Sequence, residues 1–120
     1  MHILLLENTP DMALMLRQAL EMEGHEVTVG YNGRQGLDLL AQFTPHLILS
    51  DLKMPEFDGF EFLDYIRSSP QWAHLPFIAV SGNLAEAQRA VEAGANDYLS
   101  KPFHLDTLRA KLDKWLPHEN

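Results

Sequence analysis

Five short runs rich in Leu, Ile and Val, each followed by a longer stretch with apolar residues at helical spacing, set the tightest limit on how this chain can fold. The predicted strands are His2–Leu6, Glu26–Val29, Leu47–Ser50, Phe77–Ser81 and Asp97–Leu99. Several are apolar throughout, as strands covered on both faces must be. The first helix is expected to open at Thr9-Pro10, where a Thr side chain suits the free N–H groups and Pro is tolerated at the first helical position, and to end at Gly24. Met12, Met15, Leu16, Ala19 and Leu20 form its core-facing stripe, Met22 is read as packing with Met12 and Met15, and Leu14 lies off the stripe. Asn32, with Gln35 three residues on, is a capping-box-like start for the second helix. The others are predicted over residues 60–67, 85–93 before Gly94, and 105–116 before Pro117.

Strands alternating with helices imply right-handed crossovers and a parallel sheet covered on both faces. The fold class expected is therefore α/β: a doubly wound five-stranded (βα)5 unit, flavodoxin-like, with strand order 2-1-3-4-5. With 120 residues the chain is read as one domain, 1–120. Met1 directly before the first strand suggests a native start. The 9 basic residues against 17 acidic ones give a net charge of −8, which disfavours direct nucleic-acid binding. There are no cysteines, so disulfides, thiolate metal sites and thiol catalysis are excluded. The run from Ile3 to Leu6 is far too short for a membrane span, and a cytoplasmic location is expected.

Ligands in such sheets bind beyond the carboxyl ends of the strands. That rule picks out Glu7 and Asn8 after the first strand, Asp51 after the third, Ser81 at the end of the fourth and Lys101 after the fifth. Two carboxylates, an amide oxygen and nearby carbonyls make a hard-oxygen cluster suited to Mg²⁺, while a lysine and a hydroxyl suit phosphate oxygens.

At these residues the chain resembles a known family. Asp51-Leu52-Lys53-Met54-Pro55 followed by Asp58-Gly59 resembles the D-x-x-M-P…D-G segment around the phosphoacceptor of response-regulator receivers in two-component signal transduction. Ser81-Gly82 resembles their hydroxyl-plus-small-residue pair, Tyr98 their switch aromatic, and Lys101-Pro102-Phe103 their K-P-F turn, with a cis peptide before Pro102. The resemblance implies a phosphorelay domain that accepts a phosphoryl group on Asp51 from a histidine kinase or a histidine phosphotransfer protein. Such a domain catalyses only its own phosphorylation and dephosphorylation, and passes the signal to a downstream protein or a covalently linked output domain. It further implies Mg²⁺ held by Glu7, Asn8, Asp51 and the Lys53 carbonyl, Lys101 paired with a phosphoryl oxygen, Ser81 and Tyr98 as the switch pair, and Lys53 and Asn83 as residues that tune dephosphorylation. Leu14, close to the rim of the site, is expected to help dock a helical phosphotransfer partner. One departure stands out: receivers carry two acids after the first strand, and here the second is Asn8, so weakened Mg²⁺ binding is expected.

Each residue has a plainer reading. Asp51 could cap the turn after its strand, Lys101 could be solvated beside a structural proline, Ser81 could be a satisfied strand-end hydroxyl, and Tyr98, taken as lying in a central strand, is as readily packing as switch. Their joint occurrence in the right order favours the chemical reading. Asn8 keeps an alternative open, a degenerate pseudo-receiver acting as a docking module without phosphorylation. A dehalogenase-like phosphatase would need a second Asp two residues after the nucleophile, where this chain has Lys53. The histidines at 2, 25, 46, 74, 104 and 118 show no ligand spacing and are expected at the surface or at edges, none of them carrying phosphate.

Overall fold

The computed structural model describes residues 1–117, and His118 lies outside them. Five parallel strands, β1 (His2–Leu6), β2 (Glu26–Gly30), β3 (Leu47–Asp51), β4 (Phe77–Ser81) and β5 (Asp97–Ser100), form one sheet in the order β2-β1-β3-β4-β5. Between and after them run α1 (Pro10–Met22), α2 (Gly33–Leu40), α3 (Gly59–Ser68), α4 (Leu84–Glu92) and α5 (Leu105–Trp115). This is the doubly wound α/β architecture that the alternation predicts.

Alternate residues of each strand supply two separate cores, as the two-residue repeat of a strand requires. Ile3, Leu5, Leu47, Leu49, Ile78 and Val80 pack with Leu16 and Leu20 of α1 and Leu108 and Leu112 of α5. Leu4, Leu6, Ile48, Phe77 and Ala79 pack instead with Leu40 of α2, Phe62, Leu63 and Ile66 of α3 and Ala90 of α4. Arg67, at the end of α3, donates to the carbonyls of Gly94, Ala73 and Leu75 and to Asn96 Oδ1 at 2.8 to 3.0 Å, tying the loops under α3 and α4 together.

Several local expectations need correction. In α1 the buried face is Ala13, Leu16 and Leu20, whereas Met15 is 52% and Met22 88% exposed. The small Ala13 faces the sheet, and the two methionines look outward. Thr9 takes the N-cap position of α1 without a side-chain hydrogen bond. Asn32 Oδ1 does accept from the Gln35 N–H at 2.8 Å, but the Gln35 carboxamide oxygen accepts from the Tyr31 N–H, not from Asn32. The fourth helix starts at Leu84 because Asn83 caps it. β5 is an edge strand, so Tyr98 does not lie in a central one. His46, His74 and His104 are exposed, while His2 and His25 are half-buried and His2 stacks on Phe43.

Candidate functional site

The strand order reverses between β1 and β3, and the crevice at that point collects the chemistry. Backbone pairing aims each contributor. The Glu7 N–H donates to the Gly30 carbonyl, Leu52 N–H to Val80, and Lys101 N–H to Ser81, so the first residues past β1, β3 and β5 are pinned to neighbouring strands. Asp51 closes β3, and the turn after it is drawn tight: a Cβ on Gly59 would come within 2.4 Å of the Asp51 carbonyl oxygen and 2.6 Å of Leu52 Cα. Only glycine lets α3 begin that close to the end of β3. Asp58 caps α3 reciprocally with Glu61.

Glu7 and Asp51 are 2% and 7% exposed, two carboxylates buried in one place. Lys101 Nζ donates to Asp51 Oδ2 at 3.2 Å and to Glu7 Oε2 and Oε1 at 3.4 and 3.5 Å, and the peptide between Lys101 and Pro102 is cis. Burial, then the adjacent Asp51 carboxylate, pushes the Glu7 carboxyl from 4.5 up to about 7, against the pull of Lys101. A site that holds a proton on a carboxyl at neutral pH is short of positive charge, which one lysine does not fully supply. Among the described residues no group of three or more acidic, His or Cys side chains converges, so the oxygen donors offered to a cation are Glu7, Asp51 and neighbouring neutral oxygens. Hard oxygen donors of this kind fit Mg²⁺.

The other candidates lie around this pair. Asn8 is exposed and, with Lys53, Met54, Asp58, Glu86 and Arg89, lines an adjoining cleft of about 500 Å³. The Lys53 side chain is 76% exposed and reaches over that cleft toward Glu86. Ser81 is buried, and its hydroxyl is engaged at the start of α4: Oγ accepts the Asn83 N–H at 3.0 Å and lies 3.2 Å from both the Asn83 carbonyl oxygen and Glu86 Oε2. Gly82 has open space where a Cβ would stand, so its smallness serves no packing need here. Tyr98 is half-buried at the sheet edge with Lys111 Nζ 4.9 Å above its ring, and Asp97 beside it binds Lys111 at 2.6 Å and Trp115 Nε1 at 2.9 Å. Leu14 is 55% exposed. Glu7, Asp51 and Lys101 are thus brought into contact, Asn8, Lys53, Ser81 and Asn83 sit around them, and Tyr98 stands apart at the edge. Glu86 was not picked out from the sequence. Its signal was there in Asn83 with Glu86 three residues on, the spacing that starts a helix and leaves a carboxylate in the first turn.

The model of the response regulator receiver domain matches residues 3–113. The chain belongs to this family. The receiver domain is similar to a probable chemotaxis protein CheY of Rhizobium etli, 32% identical over 114 residues, which cover 92% of this chain and 88% of that one. It is also similar to the KDP operon transcriptional regulatory protein KdpE of Escherichia coli, 39% identical, with 92% of this chain matched to 49% of that protein. Such transcriptional regulators are about twice as long as the matched segment. An uncharacterized 14.6 kDa protein of Leptolyngbya boryana is 43% identical over 85% of this chain and 79% of its own. Among solved structures, the receiver domain of the sensor histidine kinase PA1611 of Pseudomonas aeruginosa, described with a magnesium ion coordinated in its active-site cleft, superposes with a TM-score of 0.88 at 31% identity and 95% coverage of both chains. The signal receiver domain of a histidine kinase from Syntrophus aciditrophicus gives 0.89 at 30% identity, covering 96% of this chain and 89% of that one. Receiver domains are signalling modules of two-component systems, not enzymes of metabolism. Among the described residues no helix is long and apolar enough to cross a membrane.

Proposed function

We propose that residues 1–120 act as one phosphoryl-accepting receiver, with Asp51 as the acceptor. The observation that carries this is the Lys101 ammonium donating to both the Asp51 and Glu7 carboxylates in a buried crevice at the strand-order reversal. An Asp51 carboxylate oxygen attacks phosphorus in line. The new O–P bond forms as the P–N bond of a partner's phosphohistidine, or the P–O bond of a small acyl phosphate, breaks, and the electron pair leaves with imidazole or carboxylate. Water later cleaves the aspartyl phosphate to inorganic phosphate and the free carboxylate. The transition state is loose, so the protein contributes position and charge neutralisation rather than covalent help. Lys101 would pair with a phosphoryl oxygen, and Ser81 would turn from Glu86 to another.

Mg²⁺ would be held by Glu7, Asp51, the Lys53 carbonyl and the Asn8 side-chain oxygen, and when bound it supplies positive charge for the transferring group. Movement of Ser81 frees space toward Tyr98, and the surface of α4, β5 and α5 changes for a downstream protein or a linked output domain. The upstream partner is a histidine kinase or a phosphotransfer protein, and the acidic surface argues against nucleic acid as a direct ligand. Intact mass after incubation with acyl phosphate and Mg²⁺ tests the reading. The parent should gain one phosphate and Asp51→Asn none; an equal gain in Asp51→Asn would overturn it, and no gain in the parent would favour a docking module that needs no phosphate.

A further inference from the structure

We propose that Glu86 is a positioning residue that holds the Ser81 hydroxyl in its resting place, so that phosphorylation must break this contact before Ser81 can serve the phosphoryl group. The inference rests on the phosphoacceptor reading of the crevice. Ser81 Oγ carries one hydrogen and has two acceptors in reach, the Asn83 carbonyl oxygen and Glu86 Oε2, both at 3.2 Å. Of the two, the carboxylate is the stronger partner, because a charged acceptor roughly doubles the strength of the bond. The same Oγ accepts the Asn83 N–H at 3.0 Å, so the hydroxyl is held from two sides and turned toward α4.

Glu86 is itself fixed. Its N–H donates to Asn83 Oδ1 at 3.1 Å, which seats it in the capped first turn of α4, and its side chain is 21% exposed. Lys53 Nζ lies 3.9 Å from the other carboxylate oxygen, but the lysine is largely solvated and adds little. The result is a short chain from the acceptor crevice to α4: Ser81, Glu86, and the helix start capped by Asn83. Moving Ser81 toward Asp51 strips Glu86 of its buried partner, so the first turn of α4 feels the event directly. Nothing comparable links Tyr98 to Ser81 among the described residues.

Beryllofluoride, a phosphoryl mimic taken up by a carboxylate with Mg²⁺, tests this on the whole chain. Glu86→Ala should bind it about tenfold more tightly than the parent, the equivalent of about 1.4 kcal/mol, and Glu86→Gln, which keeps an uncharged acceptor, should fall between. In a Ser81→Ala background the Glu86→Ala gain should shrink to less than about twofold, because the hydroxyl that Glu86 holds is gone. Backbone amide shifts of residues 82 to 86 in unliganded Glu86→Ala should also move toward the positions they take in the beryllofluoride-bound parent. A gain that persists undiminished without the Ser81 hydroxyl would assign the effect to charge alone and overturn the proposal. So would equal affinities of the parent and Glu86→Ala, with the phosphoacceptor reading left standing. A parent that takes up no beryllofluoride would bring down both.

Discussion

Replacing Glu7 by Gln should remove a distinctive slope from the stability of the metal-free protein between pH 4.5 and 8. The Glu7 carboxyl is pushed from 4.5 up to about 7, chiefly by burial and then by Asp51. Between those values the folded chain keeps a proton that the unfolded chain has already released. Stability therefore falls as pH rises across the window: this contribution is complete below pH 4.5 and lost as pH rises through about 7. At about 1.4 kcal/mol per pH unit the whole loss is about 3 kcal/mol. An ion-paired carboxylate with a depressed pKa would give the opposite slope. His25 does act in the opposite sense. Burial, then the amino terminus, lowers it from 6.5, so its contribution is present above that value and fades as pH falls through its folded pKa. Both proteins contain His25, so the difference between parent and variant isolates Glu7.

Urea unfolding in EDTA, followed by the fluorescence of Trp72 and Trp115, reads the effect. With a slope of about 1–3 kcal/mol per molar urea, the midpoint of the parent should drop relative to that of Glu7→Gln by roughly 1–3 M across the pH range. Adding Mg²⁺ at pH 7.5 should recover stability in the parent more than in the variant, since a metal takes the place of the proton. A midpoint difference that stays constant from pH 4.5 to 8 would mean that Glu7 titrates alike folded and unfolded, and the reasoning from its burial would fail.

Asn8→Asp should tighten Mg²⁺: two unit charges about 4 Å apart are worth about 4 kcal/mol at an effective dielectric near 20, and after dehydration and the exchange of one oxygen ligand for another the expected net gain is about 1–3 kcal/mol, or ten- to a hundredfold in a calorimetric titration. An unchanged affinity would place residue 8 outside the metal site. Lys53→Ala and Asn83→Ala should each alter the rate at which the phosphorylated protein loses its phosphate once the donor is removed, without abolishing the loss, and identical decay in both would reject a tuning role. Leu14→Ala should slow phosphoryl transfer from a cognate kinase while leaving phosphorylation by acyl phosphate as it was; equal slowing of both would indicate damage to α1.

Strands were legible because a parallel sheet buried on both faces demands apolar runs, and Ile3 to Leu6 or Leu47 to Leu49 fit little else. The site followed from the strands, since a parallel sheet brings the residues past the ends of β1, β3 and β5 together whatever the loops do. Helix faces were less legible. In α1 hydrophobicity ranked Met15 above Ala13, but the narrow space against the sheet takes the small side chain, and long, flexible methionines tolerate solvent. Tyr98 was misjudged differently: the strand order read from the alternation, 2-1-3-4-5, already puts the fifth strand at the sheet edge, and the charged Asp97 beside Tyr98 fits an edge better than a buried centre. The Ser81–Glu86 contact was least legible, because it depends on the phase of α4 and on a rotamer, and neither is written in composition or spacing.

The neutral Asn8 and the raised pKa of Glu7 bear on the same balance of charge. With Asn8 neutral, the crevice contains two carboxylates and one ammonium, and a Glu7 carboxyl that titrates near 7 makes up about half the remaining deficit with a proton at neutral pH. A metal ion entering this site must displace that proton and loosen Lys101 from two carboxylates at once. Each displacement weakens the metal, and the first makes its binding depend on pH in the range where Glu7 titrates. On the proposed reading an incoming phosphoryl group would meet the reverse situation, because fewer anions would repel it and Lys101 lies 3.2 Å from Asp51 Oδ2. If Asp51 is the phosphoacceptor as proposed, Asn8 would shift the work of neutralising the phosphoryl group from the metal toward Lys101, and Lys101→Ala should be more damaging here than in an Asn8→Asp background. Phosphorylation by acyl phosphate in the four combinations of these two changes measures that shift directly, and rate factors that simply multiply, that is, additive changes in activation free energy, would show that the two positions work independently.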